Sequence, residues 1–140
     1  MRLTIDGRNV EAAEGMTILA AAKTAGIEIP TLCYLEGISD IGACRLCVVE
    51  VEGKNELATA CNTKVKEGMV VNTNSPEALK FRRNVVELML SDHPKDCLSC
   101  VRNKDCELQE IAAELGIRKV RFSDGEQSSA PIDTSTKSII

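Results

Sequence analysis

Residues 29–61 read IPTLCYLEGISDIGACRLCVVEVEGKNELATAC. Four cysteines fall in this stretch, spaced Cys33-x10-Cys44-x2-Cys47-x13-Cys61. Two thiols separated by two residues let one loop present both sulfurs to a single metal centre. Cys33 and Cys61 then close the other side from neighbouring segments. Small residues crowd the loop, with Gly42, Ala43 and Cys44 in succession. They let backbone N–H groups approach an anionic centre and donate to its sulfurs. The pattern is close in logic to the plant-type ferredoxin spacing, with a longer first gap and a shorter last one.

Short strand signals surround this loop. Leu3-Thr4-Ile5 and Asn9-Val10-Glu11-Ala12 flank Asp6-Gly7, a tight hairpin signal. Thr17 is a candidate N-cap for a helix through Ala25, with Ile18, Leu19, Ala22 and Ala25 on its apolar face and Gly26 as its stop. Pro30 forces an extended approach to Cys33. Cys47–Val51, Leu57–Cys61 and Gly68–Asn72 read as further strands, with Gly53-Lys54-Asn55 as a turn. Several short strands around one helix predict a small mixed sheet with that helix across one face.

Ser75-Pro76-Glu77 opens a second helix: a cap, then proline at the first helical position, then an acid near the positive end. It is expected to run to about Leu90, with Leu79, Val86, Met89 and Leu90 available for packing and Arg82 and Arg83 on a solvated face. A third helix is expected with Asp105 as its cap. Leu108, Ile111, Ala112 and Leu115 follow helical spacing, and Gly116 ends it. Between these helices lies a second ligand set, His93-x3-Cys97-x2-Cys100-x5-Cys106. Four soft or borderline ligands so close in sequence can wrap one metal centre. Pro94 breaks the helix beside His93. Cys106 would sit at the first turn of the third helix, where the helix dipole favours a thiolate.

The chain has 140 residues, one domain or two small ones, with seven cysteines and one histidine. Seven is odd, and the N-terminus lacks the apolar core of a signal peptide, so reduced thiols in the cytoplasm are expected rather than a disulfide framework. Four thiols in one set, and three plus His93 in the other, leave none over. Net charge is −4, and the aromatics are only Tyr34, Phe81 and Phe122, which argues against nucleic-acid binding. The longest apolar run near the N-terminus, Ile18–Ala22, is far too short to insert in a membrane. On the residues alone zinc stays open for both sets, as in a zinc-stabilised interaction module without redox role. Arg45 reads equally as a solvated charge or as a donor that tunes the centre. No Gly-rich nucleotide fingerprint occurs. Residues 76–118 are close to the size at which a chain needs metal or a neighbour to fold, and a cluster would supply that free energy.

Ile29-Pro30-Thr31-Leu32-Cys33-Tyr34, Gly42-Ala43-Cys44-Arg45-Leu46-Cys47, Asp92-His93-Pro94-Lys95-Asp96-Cys97-Leu98-Ser99-Cys100 and Asp105-Cys106-Glu107-Leu108-Gln109 together resemble the N-terminal region of iron-iron hydrogenases. The same region opens the large iron-sulfur subunit of NADH-quinone oxidoreductase and some NAD-linked formate dehydrogenases. The resemblance covers roughly residues 1–120 and implies an α+β chain in three parts. Residues 1–75 would form a ferredoxin-like β-grasp domain whose [2Fe-2S] cluster is held by Cys33, Cys44, Cys47 and Cys61. Residues 76–118 would form a small, mainly helical domain whose [4Fe-4S] cluster is held by His93, Cys97, Cys100 and Cys106. Residues 119–140 would be a tail or a linker to a missing downstream domain, since family members continue into further [4Fe-4S] motifs and a catalytic domain. The chain would then be a piece of a larger subunit or a stand-alone carrier, with no catalytic site of its own. It would relay single electrons within an NAD(P)H-linked oxidoreductase complex (hydrogenase or NADH dehydrogenase type), an iron-iron hydrogenase being the preferred parent. Its implied partners are a flavin- and NAD(P)H-binding subunit and a ferredoxin-type or catalytic domain.

Overall fold

A computed structural model describes residues 1–122. The expected tail from residue 123 to residue 140 lies outside the described residues. Strands β1 (Arg2–Ile5) and β2 (Arg8–Glu11) form a hairpin. Its turn is Asp6-Gly7, both with positive φ, 49° and 77°. That geometry matches the right-handed twist of the strands it joins. The Asp6 carboxylate also accepts from the Thr73 amide at 2.7 Å and the Thr73 hydroxyl at 2.6 Å, which pins the turn to a segment far along the chain.

Helix α1 (Ile18–Thr24) is capped by Thr17, whose hydroxyl accepts from the Ala20 amide. Strands β3 (Val48–Val51), β4 (Ala58–Thr59) and β5 (Val70–Asn72) complete a five-stranded mixed sheet in the order β2-β1-β5-β3-β4. The β1–β5 pair is parallel and the others antiparallel. Strand β4 is shorter than the expected Leu57–Cys61 and ends before Cys61, which sits in a turn closed by the Thr63 amide on the Thr59 carbonyl. Ile18, Leu19, Ala21 and Ala22 of α1 pack with Leu3, Ile5, Val10, Val49, Val51 and Val71 in one core, which also contains Cys47 and Cys61.

Helix α2 (Pro76–Ser91) opens as its sequence predicts, with the Ser75 hydroxyl accepting from the Ala78 amide at 3.2 Å. Its packing face differs from expectation. Leu79 is 39% exposed, whereas Arg82 is 1% exposed, so Arg82 does not lie on a solvated face. The buried positions Ala78, Arg82 and Val86 recur every four residues, and α2 packs on β3 along that line. Arg82 Nη2 donates to the carbonyls of Val48 (2.6 Å) and Thr73 (2.7 Å). Arg83 is exposed, as expected. Glu87 is also buried; hydrogen bonding to the Arg121 side chain is the main influence holding its carboxyl below the ordinary value.

A turn of 3₁₀ helix (Cys97–Ser99) precedes α3 (Glu107–Glu114). The residue at the N-cap is Cys106, not Asp105; Asp105 instead pairs with Arg102 at 3.4 Å. A second core joins Val86 of α2 and Ile111 of α3, with Leu108, Ala112 and Leu115 beside them. Leu46, two residues before β3, is fully buried in that core too. Among the described residues no helix is long and apolar enough to cross a membrane.

Candidate metal centres

The first cysteine set lies where both cores meet. In Cys44-Arg45-Leu46-Cys47, the Leu46 side chain enters the second core and Cys47 the first, so the loop is pinned from two sides. Between them Arg45 has φ 60° and an exposed side chain, which favours the solvated reading for this residue. Its left-handed backbone turns the loop sharply. The Cys44 amide donates to Cys33 Sγ at 3.3 Å. Cys61 is held from the opposite side. The Ala60 amide donates to the Cys47 carbonyl at 3.0 Å. The first N–H groups of α1 donate from Ile18 to Thr63 and from Leu19 to Ala60, both at 2.9 Å. These donors have no partner within their own helix, so the Cys61 turn is where α1 finds them.

The electrostatics report the same convergence. Burial pushes the Cys61 thiol up to about 12, aided by a hydrogen bond with Cys47 and by the charges of Cys47, Cys33 and Cys44. The Cys61 thiol thus lies near enough to the other three for their charges to be felt, a setting that a cationic core would relieve. Cys44 moves the other way. Burial works to raise it, yet the backbone N–H groups of Leu46, Leu32 and Cys33 and the Cys33 side chain together bring it below its ordinary value. Such N–H groups are the donors an anionic sulfur centre requires. Four cysteines, with backbone donors turned toward Cys33 and Cys44, fit a [2Fe-2S] cluster, in which the thiolates are shared between two irons.

Gly42 closes the loop at φ 66°, and a Cβ there would lie 2.9 Å from Asn62 Nδ2. The Asn62 side chain is itself held by the Thr59 hydroxyl. The small residue is visible in the sequence; Asn62 and Thr59, which carry no pattern of their own, are not. Gly42→Ala is expected to destabilise the fold by about 1–2 kcal/mol through left-handed strain, with the Asn62 contact adding to it. A denaturant midpoint indistinguishable from wild type would show that the loop relaxes freely.

The second set is arranged differently. Helix α2 ends at Ser91, and the His93 amide donates to the Leu90 carbonyl at 3.4 Å before Pro94 stops further helix. Cys97 and Cys100 bracket the 3₁₀ turn, with the Cys100 amide donating to the Cys97 carbonyl at 3.1 Å. Cys106 caps α3, and its side chain makes no capping hydrogen bond. His93 and Cys100 are exposed, while Cys97 and Cys106 are half-buried. The backbone thus presents all four ligand types in one exposed stretch between α2 and α3. Among the described residues no group of three or more His, Cys, Asp or Glu side chains is already drawn together to hold a single metal ion. For this set it is the donor chemistry, one imidazole and three thiols, that fits an iron-sulfur centre.

Comparison with known proteins agrees with the chemistry of both sets. Residues 1–76 match the model of the 2Fe-2S iron-sulfur cluster binding domain. Residues 82–121 match the NADH-ubiquinone oxidoreductase-G iron-sulfur binding region. Over 133 residues the chain is 53% identical to NADP-reducing hydrogenase subunit HndD of Solidesulfovibrio fructosivorans, an alignment covering 91% of this chain and 23% of that protein. It is 47% identical to NADPH-Fe(3+) oxidoreductase subunit alpha of Geobacter sulfurreducens, covering 86% and 14%. It is 39% identical to the mitochondrial NADH-ubiquinone oxidoreductase 78 kDa subunit of Candida albicans, covering 89% and 17%. The fold superposes on a chain of an NAD+-reducing [NiFe]-hydrogenase in the H2-reduced state with a TM-score of 0.81 at 31% identity, over 87% of this chain and 51% of that one. The chain therefore spans about a quarter or less of these curated relatives and half of the solved one. With [2Fe-2S] and [4Fe-4S] regions in tandem, it belongs to the 2Fe-2S iron-sulfur cluster binding domain family, continued by the oxidoreductase-G iron-sulfur binding region.

Proposed function

We propose that this chain is the electron-relay portion of an NAD(P)H-linked oxidoreductase, with an iron-iron hydrogenase as the preferred parent. In this reading residues 1–75 are a ferredoxin-like β-grasp domain in which Cys33, Cys44, Cys47 and Cys61 hold the [2Fe-2S] cluster. Residues 76–118 hold the [4Fe-4S] cluster through His93, Cys97, Cys100 and Cys106, and residues 119–140 lead onward to a further domain. The observation that carries the reading is the tandem match to two iron-sulfur regions, laid over a loop in which the Cys44 amide donates to Cys33 Sγ and Cys47 and Cys61 share one core. The relatives' names share a nicotinamide nucleotide, which supports a flavin- and NAD(P)H-binding partner at one end and a ferredoxin-type or catalytic domain at the other. The cytoplasm is the compartment that suits seven reduced thiols.

Each bound cluster supplies a one-electron site. The chain sets how that site behaves. Core packing around Cys47 and Cys61 keeps water away from half of the first thiol set. Backbone N–H groups around Cys33 and Cys44 offset negative charge on sulfur. The exposure of His93 and Cys100 leaves the second set open to a neighbouring domain.

The test is EPR of the reduced, anaerobically purified protein together with metal analysis. Two distinct signals are expected, with iron and acid-labile sulfide each approaching about six per chain. The zinc-stabilised interaction module finds no support in the comparisons. It would require a colourless protein with stoichiometric zinc and no sulfide, and that result would overturn the proposal.

A further inference from the structure

Arg82 is a cation in the wrong place for a structural residue. It is 1% exposed, in the middle of α2, where its guanidinium reaches Val48 O (2.6 Å), Thr73 O (2.7 Å) and Asn74 Oδ1 (3.3 Å). All of these acceptors are neutral. Its Nε is buried with no hydrogen-bond partner. No carboxylate forms an ion pair with it among the described residues. Asp6, bound through both carboxylate oxygens to Thr73, attracts Arg82 through space but makes no hydrogen bond to it. An arginine side chain stays protonated in a protein. A buried charge with no carboxylate in direct contact is unfavourable, and a hydrocarbon of similar size would serve packing better.

Beyond Asp6, the neighbourhood of Arg82 points to a second negative centre. Val48, whose carbonyl accepts the shorter bond, directly follows Cys47. Leu46, on the other side of Cys47, packs against Val86, one helical turn from Arg82. Burial lowers the guanidinium pKa, while attraction from Cys47 and Asp6 opposes that shift. Four thiolates around a [2Fe-2S]2+ core leave a net charge of about −2, and reduction adds one more negative charge. We infer that Arg82 is the buried counter-ion of the [2Fe-2S] centre, a positioning residue on α2 that favours the reduced state and raises the potential at which that centre accepts an electron. The inference rests on the reading that Cys47 is a ligand of this cluster.

The experiment is an EPR-monitored redox titration of the full chain with both clusters loaded, comparing wild type with Arg82→Gln, Arg82→Lys and Asn74→Asp. The [4Fe-4S] signal serves as internal reference. Arg82→Gln is expected to lower the ratio of reduced to oxidised [2Fe-2S] cluster about tenfold at a fixed ambient potential, the size of effect one charge exerts across about 12 Å at an effective dielectric constant of about 20. For a one-electron couple that is a downward shift of about 59 mV. The [4Fe-4S] midpoint should not move. Arg82→Lys, which keeps the charge, should restore most of the shift, and a role in packing alone would not produce that order.

If Arg82→Gln fails to load, Asn74→Asp decides. Asn74 is exposed, so the change is tolerated, and the new carboxylate partly neutralises Arg82 in place. It should shift the [2Fe-2S] midpoint in the same direction by a smaller amount. A loaded Arg82→Gln protein with an unshifted [2Fe-2S] midpoint overturns the inference, as does an unshifted Asn74→Asp protein where the first variant is empty. Failure of the underlying reading looks different, since the wild type would then give no [2Fe-2S] signal at all.

Discussion

Cys61→Ala is expected to abolish the [2Fe-2S] EPR signal while leaving the [4Fe-4S] signal in place, and to lower the iron content from about six to about four per chain. Cys61 is the most deeply committed member of its set. It is buried in the α1–sheet core, in a turn held by Ala60 on Cys47 and by the start of α1 on Ala60 and Thr63. The Asp40 backbone carbonyl oxygen lies 4.0 Å from its sulfur and is a weak donor compared with a thiolate. The substitution removes little volume, so the cluster-free fold should lose only about 1 kcal/mol for the buried sulfur and its small cavity, in addition to the free energy the cluster supplied. That separation makes the result interpretable: loss of the cluster with retained structure is loss of a ligand. A variant that kept stoichiometric [2Fe-2S] would remove Cys61 from the ligand set and require a different fourth donor. Cys100→Ala makes the reciprocal comparison, with loss confined to the [4Fe-4S] signal.

What was legible in the sequence is what local chemistry decides. Asp6-Gly7 makes its hairpin because two adjacent residues that tolerate positive φ leave few alternatives. Thr17 and Ser75 cap their helices because their hydroxyls reach amides three residues on. Cysteine spacing pointed to a metal centre in the first half for a similar reason, since a short loop can offer both sulfurs to one centre, and residues 1–76 match a 2Fe-2S cluster binding domain. Long-range choices were harder to see. The parallel pairing of β1 with β5 joins residues more than sixty positions apart and has no local signature. Arg82 was misread because Arg82-Arg83 looks like a solvated pair. Leu79, which the apolar spacing offers for packing, is 39% exposed. The four-residue recurrence of Ala78, Arg82 and Val86 was a usable signal, but a charge in its centre concealed it. At α3 the cap passed from Asp105, a favoured capping residue, to Cys106. The Asp105 carboxylate is turned to Arg102 instead of to the helix amides.

His93→Cys is expected to retain a [4Fe-4S] cluster and to lower its potential by on the order of 100 mV. Three thiolates and a neutral imidazole around a [4Fe-4S]2+ core leave a charge of about −1; a fourth thiolate makes it about −2, and the added electron then meets a more negative centre. The same logic separates imidazole-ligated from all-thiolate centres elsewhere. The fold gives little to oppose it. His93 follows the last turn of α2 on an exposed stretch, so exchanging the side chain disturbs no core contact. Desolvation, the influence most able to mask a charge effect, is weak where two of the four ligands are exposed. The readout is the [4Fe-4S] midpoint, with the [2Fe-2S] midpoint as control. A raised or unchanged value in a loaded variant would mean that hydrogen bonding to the sulfurs, rather than ligand charge, sets the potential. A downward shift would identify the single histidine of the chain as the device that keeps this centre easier to reduce than an all-cysteine cluster in the same loop.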